Sequence, residues 1–171
     1  MDDNDKALEY YTKSLSIKQN ELGENNSDLI PIYNNIGNVC NTEGNHDKAV
    51  EYYTKSILIR IKTLGENHPD VATSCNKIGD VYKAKGDHNT ALKCFMETLS
   101  IRLKTLCENH PDVNHTFDKV SHVYIAKGDR EKALEYFTKS LSIRLNTSEE
   151  FHPDVATSYD NIARVVVLKV K

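Results

Sequence analysis

The chain has 171 residues, 27% of them charged, and a net charge of −3. That length can bury ~70% of the surface an unfolded chain exposes, enough for one domain or one short repeat array. So small a net charge excludes the strong fields that select nucleic acid or anionic membrane, and neither is expected as a partner. No apolar h-region follows the acidic start, and no 18-residue apolar run exists. Neither a signal peptide nor a transmembrane helix is therefore expected, and a cytoplasmic location is. The four cysteines, Cys40, Cys75, Cys94 and Cys107, show no CxxC spacing and read as reduced thiols. Asn25, Asn114 and Asn146 head Asn-x-Ser/Thr sequons, which in a cytosolic protein are chance matches.

From Asp5 to about Leu22, Ala7, Leu8, Tyr11, Leu15 and Lys18 share one face of a predicted amphipathic helix, here called a B helix. Gly23 supplies a left-handed stop, as Gly65 does one unit later. Cys107 and Glu149 hold the next two equivalents, where the connection must take another conformation or carry strain. The connection then reads His68-Pro69-Asp70, and His-Pro-Asp recurs at His110–Asp112 and His152–Asp154. Asn26-Ser27-Asp28 replaces it in the first unit. Proline suits the first helical turn, and aspartate favours the positive end of the dipole. A histidine repeated at one loop position suggests a metal ligand, but copies 42 residues apart fall on successive units. Capping is the reading.

An A helix follows, with Val71, Cys75, Ile78 and Tyr82 spaced 4, 3 and 4. Gly37 and Gly79 sit in the middle of such helices at a cost of ~1 kcal/mol against alanine, which predicts that another helix backbone passes close by. Lys-Gly-Asp at 85–87 and 127–129 marks a tight turn into the next B helix, with Asp87 or Asp129 as cap. The B helix itself, Lys48–Ile59, recurs at Lys6–Ile17, Thr90–Ile101 and Lys132–Ile143, always offset by 42 residues. The first and last copies differ only at Tyr11 and Phe137. A fixed period of this size marks a repeat array of helical hairpins.

Ile78, Gly79, Tyr82, Gly86, Ala91 and Phe95 resemble a tetratricopeptide repeat in their order: large, small, aromatic, turn, small, aromatic. Ile36, Gly37, Cys40, Gly44, Ala49 and Tyr53 do so one unit earlier, and Val120, Ser121, Tyr124, Gly128, Ala133 and Phe137 one later. The 42-residue period, longer than the usual one, is similar to that of kinesin light chains. The resemblance implies an all-α, right-handed solenoid of antiparallel helix pairs with about eight helices. A single solenoid over residues 1–171 is expected, with units at about 1–26 (B helix only), 27–68, 69–110, 111–152 and 153–171 (A helix only). HEAT-type repeats have a similar length but lack this order.

Glu9/Lys13, Glu51/Lys55 and Glu135/Lys139 are i, i+4 pairs whose signs both reverse at Lys93/Glu97, as solvated pairs allow. Lys18, Arg60, Arg102 and Arg144 recur near B-helix C-termini, where dipole pairing and solubility explain them better than a basic stripe. By the resemblance, function lies on a concave wall of A helices. Its exposed positions are Pro31, Asn34, Asn38 and Asn41, then Thr73, Asn76, Asp80 and Lys83. His115, Asp118, His122 and Ile125 follow, then Thr157, Asp160, Arg164 and Val167, with Asn35 and Asn161 alongside. Asparagines offer donor and acceptor together, so such a ladder can hold an extended peptide by its backbone, or can simply solvate the wall. It also resembles the ladder lining the cargo groove of kinesin light chains. The two-lysine carboxylate clamp of chaperone-binding repeats is not matched.

His115, Asp118 and His122 share one helix face but, as three residues of a single helix, converge poorly for zinc. With no phosphate loop, nucleophile elbow or carboxylate pair, no catalysis, cofactor or metal is expected. The sequence starts on a B helix and closes on an A helix with Val165-Val166-Val167-Leu168. Those complementary halves fit either a piece of a longer array or a unit that joins head to tail. The expected function is an interaction scaffold or adaptor that takes an extended peptide or partner helix in the concave groove. An architectural or self-associating segment, or an accessory region of a larger enzyme, is the alternative.

Overall fold

Residues 3–147 and 152–167 are described in the computed structural model, and among them every regular element is helical. The elements are α1 (Asp3–Leu22), a 3-10 turn (Ser27–Leu29) running into α2 (Ile30–Thr42), α3 (His46–Leu64), α4 (Pro69–Ala84), α5 (His88–Thr105), α6 (Pro111–Ala126), α7 (Arg130–Thr147) and α8 (Pro153–Val167). Odd-numbered helices are the B helices and even-numbered ones the A helices. The expectation that α8 runs to about Lys169 falls outside the described residues.

Packing divides the chain into two compact units, residues 1–87 and 88–171. In the first, α1 to α4 pack each on the next; in the second, α5 to α8 do the same. The first core gathers Leu15, Leu29, Ile36, Ala49 and Tyr53. The second has one cluster of Leu99, Val113, Phe117 and Ile143 and another of Ala133, Phe137 and Val165. Ala49, Ala91 and Ala133 are fully buried, which lets helices approach closely beside Tyr53, Phe95 and Phe137.

The helix starts are built as the loop chemistry requires. The Asp70, Asp112 and Asp154 amides donate to Nδ1 of His68, His110 and His152 at 3.1, 3.1 and 3.2 Å. In the first unit the Asp28 amide donates to Asn26 Oδ1 at 2.9 Å, so each histidine is a helix cap. Asp129 Oδ1 likewise accepts from the Lys132 amide at 3.1 Å. Gly65 closes α3 with φ +88, a conformation only glycine adopts readily. Its equivalent Cys107 avoids that strain: no described non-glycine residue has positive φ, and α5 stops at Thr105. Glu149 lies outside the described residues.

Two sequence readings are corrected. Gly37 is needed for an aromatic ring rather than a helix backbone, since a Cβ there would lie 2.7 Å from Tyr53 Cε1. The repeated arginines are staples rather than solvated C-terminal charges. Arg60 Nη1 donates to Ser74 Oγ at 2.7 Å and to the Asp70 carbonyl at 2.8 Å. Arg102 does the same to Thr116 Oγ1 and the Asp112 carbonyl, at 2.7 and 2.9 Å. Arg144 reaches Ser158 Oγ. Each binds a B helix to the first two turns of the A helix that follows. Burial holds the Arg102 guanidinium pKa below its ordinary value, against the opposing pull of Asp112.

Candidate peptide-binding face

The A helices carry the polar positions, and the arginine staples tie α4, α6 and α8 to the B helices before them. In residues 1–87, α2 offers Asn34, Asn35, Asn38 and Asn41, and α4 offers Asn76, Asp80 and Lys83. Asn38 is the exposed one, and its Oδ1 accepts from Lys77 Nζ at 3.0 Å and Tyr53 Oη at 2.7 Å. One amide oxygen therefore ties α2 to both α3 and α4. Burial pushes the Tyr53 phenol up to about 12, with Asp80 adding to the rise. Lys77, half-buried with its Nζ 5.3 Å from the Tyr53 ring centroid, is pushed down by burial and then by Arg60.

Other positions turn inward. The Oδ1 atoms of Asn34 and Asn76 are buried without a hydrogen-bond partner, although Asn76 Nδ2 reaches Asp80 Oδ2 at 3.4 Å. Asn41 Oδ1 accepts from His46 Nδ1 at 3.1 Å across the turn into α3. Asn35, Asp80 and Lys83 remain half-exposed, and Thr73 is exposed.

In residues 88–171 the equivalent of Asn34 and Asn76 is Asp118, and it is committed to a buried network. Its Oδ2 accepts from Arg144 Nη2 and its Oδ1 from Ser140 Oγ, both at 2.6 Å. The two charged side chains are 13% and 14% exposed. Asn114, itself buried, completes the set: its amide donates to Ser140 Oγ and its oxygen accepts from Arg144 Nε at 2.9 Å. That burial leaves the Asn114 sequon no room for a glycan. His122 Nδ1 donates to the Asp118 carbonyl at 2.7 Å and sets its ring edge-on to Phe137, while His115 is exposed. His115, Asp118 and His122 thus do not converge. Among the described residues no group of three metal-ligating side chains is placed to hold an ion. On α8, Asp160, Asn161 and Arg164 line an open hollow of about 720 Å³ with Thr157, Ala163 and Val167.

The staples and the Asp118 network are what the sequence reading missed. Their signal was available in register: Arg60, Arg102 and Arg144 face Ser74, Thr116 and Ser158, whereas Lys18 at the same position faces Ile32.

Comparison with known proteins gives one family. The profile described as Tetratricopeptide repeat matches residues 1–57 and 28–104, and a second of the same description matches 117–147. Among solved structures, a Podosopora anserina protein assigned as a kinesin light chain, with nearly identical TPR-like repeats, superposes with a TM-score of 0.84. It is 22% identical over 97% of this chain and 79% of its own. BtubC (BKLC) from P. vanneervenii gives 0.83, at 24% identity over 96% of this chain and 66% of that one. The apo form of RapI gives 0.80, at 13% identity over 98% and 58%. At these identities the likeness is one of fold. No curated protein matches. No described helix is long and apolar enough to cross a membrane.

Proposed function

Because the chain belongs to the tetratricopeptide repeat family, whose repeats serve as protein-interaction scaffolds, we propose that it is a cytoplasmic adaptor that takes an extended peptide along its A helices. The observation that carries the reading is the Asn38–Lys77 bridge at 3.0 Å. It sets the polar faces of α2 and α4 side by side, with Thr73 exposed and Asn35, Asp80 and Lys83 partly exposed around it. Amide, hydroxyl and charged groups on two fixed helices suit the alternating donors and acceptors of an extended backbone, and rigidity lowers the ordering cost of binding. The surface charge pairs of α3 and α7, Glu51–Lys55 at 2.7 Å and Glu135–Lys139 at 2.6 Å, are self-satisfied and take no part.

The test is to select peptides against the chain from a random display library and measure their affinity by fluorescence anisotropy. Combined Asn35→Ala, Asp80→Ala and Lys83→Ala replacement is expected to weaken binding at least ~10-fold, which corresponds to ~1.4 kcal/mol. Glu51→Ala with Lys55→Ala is expected to leave it unchanged. Equal loss in both variants, or loss only in the second, overturns the reading.

A further inference from the structure

A hollow between α1 and α3 and another between α5 and α7 occupy the same place in the repeat, two periods apart, yet they differ in size and lining. In residues 1–87 the hollow measures about 210 Å³, and two polar bridges close it. Gln19 Nε2 donates to Tyr33 Oη and Lys62 Nζ to Asn25 Oδ1, both at 2.9 Å. In residues 88–171, Leu103 and Phe117 stand where Gln19 and Tyr33 do, and neither can make that bond. Asn146 stands where Lys62 does, and no hydrogen bond joins it to Asn109, the equivalent of Asn25. With both bridges gone the hollow opens to about 450 Å³. That volume lies within the ~300–1,000 Å³ typical of small-molecule sites, and the first hollow falls short of it.

Leu99, Phe117 and Ile143, buried members of one core cluster, give the larger hollow an apolar floor. Leu103, 43% exposed, and Tyr136 line it above them, and Tyr136 Oη is held by Met96 Sδ at 3.8 Å. Its two charged lining residues are Lys139 and Glu108. Lys139 Nζ is already taken by Glu135 Oε1 at 2.6 Å and by the Tyr136 ring. The Glu108 carboxylate, on the connection between α5 and α6, has no partner among the described residues. From this we propose that the hollow between α5 and α7 is a ligand site for a small organic cation. The apolar body of the ligand seats on Leu99, Phe117 and Ile143, and its ammonium meets Glu108. Apolar contact supplies most of the affinity, and the exposed carboxylate supplies the preference for positive charge. The site does not rest on the peptide-binding reading, because none of these residues belongs to that face.

Titrating the isotope-labelled 171-residue chain with 4-phenylbutylammonium at neutral pH, followed by amide chemical shifts, tests the proposal. Saturable shifts are expected at Leu103, Phe117 and Ile143, with their equivalents Gln19, Tyr33 and Ile59 unmoved as an internal control. The uncharged 4-phenylbutanol is expected to bind the same residues about 3–5-fold more weakly, as loss of one exposed ion pair implies. Glu108→Gln is expected to erase that difference while leaving the affinity for the alcohol unchanged. Leu103→Gln with Phe117→Tyr copies the pair that closes the smaller hollow, and is expected to abolish binding of both probes with helical circular dichroism unchanged. Ser142→Leu copies Leu58 at an exposed position, and is expected to weaken both probes without touching the core. Shifts spread equally over both sets of residues overturn the proposal. So does an alcohol that binds as well as the cation, a preference that survives Glu108→Gln, or unchanged binding in Ser142→Leu.

Discussion

Removing the Asp118 carboxylate should cost more than any surface charge in the molecule. Asp118 and Arg144 are 13% and 14% exposed and meet at 2.6 Å, so neither is well solvated when its partner goes. Breaking such a buried pair from one side typically costs ~3–5 kcal/mol, chiefly because a charge is left without compensation. Asp118→Ala also deprives Ser140 Oγ of its acceptor, and Asn114 and Ser158 retain part of the Arg144 guanidinium. The lower end, ~3 kcal/mol, is therefore expected. Urea unfolding followed by helical circular dichroism measures it, and the thermal midpoint should drop by roughly 6–12 °C for a chain of this size. Replacing both partners at once, Asp118→Leu with Arg144→Met, should recover most of the loss, since an apolar pair of similar volume leaves no orphaned charge. Glu135→Ala, which removes an exposed pair of the same nominal distance, should change stability by less than ~0.5 kcal/mol. An Asp118→Ala loss no larger than the Glu135→Ala loss would refute the argument, because the network would then be as well solvated as the surface.

Gly37→Ala places a methyl 2.7 Å from the Tyr53 ring and should destabilise by ~1–3 kcal/mol in the same unfolding assay. His68→Ala should lose a cap at ~1 kcal/mol, whereas His68→Asn should be nearly neutral, because Asn26 already performs the same task. Tyr53 gives a pH dependence. Its phenol stays protonated up to about 12 in the folded chain against 10.0 ordinarily. Its contribution is intact below pH 10, and above it the unfolded chain releases the proton first, so stability falls toward pH 12 by ~1.4 kcal/mol per unit from this group. Tyr53→Phe should flatten that decline when urea midpoints are compared from pH 9 to 11.5; identical slopes would remove Tyr53 as the source.

The repeat made the architecture legible, because identical spacing forces each copy of Lys48–Ile59 into the same helix and each His-Pro-Asp into the same cap. Periodicity reports which face of a helix is apolar, and so it located the A and B helices to within a few residues. It reports nothing about what a polar side chain reaches across a seam. Asn34, Asn76 and Asp118 read alike as groove residues, yet Asp118 spends its charge on Arg144 while the asparagine oxygens are buried. Arg102 looked like a solvated C-terminal charge and is 5% exposed, because its length lets it cross to Thr116. Gly37 was correctly read as a close approach, but only coordinates could show that the approaching group is a tyrosine ring.

The central claim is that peptide binding belongs to the A helices and scaffolding to the B helices. Amide chemical-shift mapping of the isotope-labelled chain with a selected peptide tests it most directly. Perturbations concentrated at Asn35, Asn38, Lys77 and Asp80, with the outer residues Glu51, Lys55 and Leu58 unmoved, are the predicted result. Perturbations centred on the exposed side of α3, with α2 and α4 silent, would contradict it.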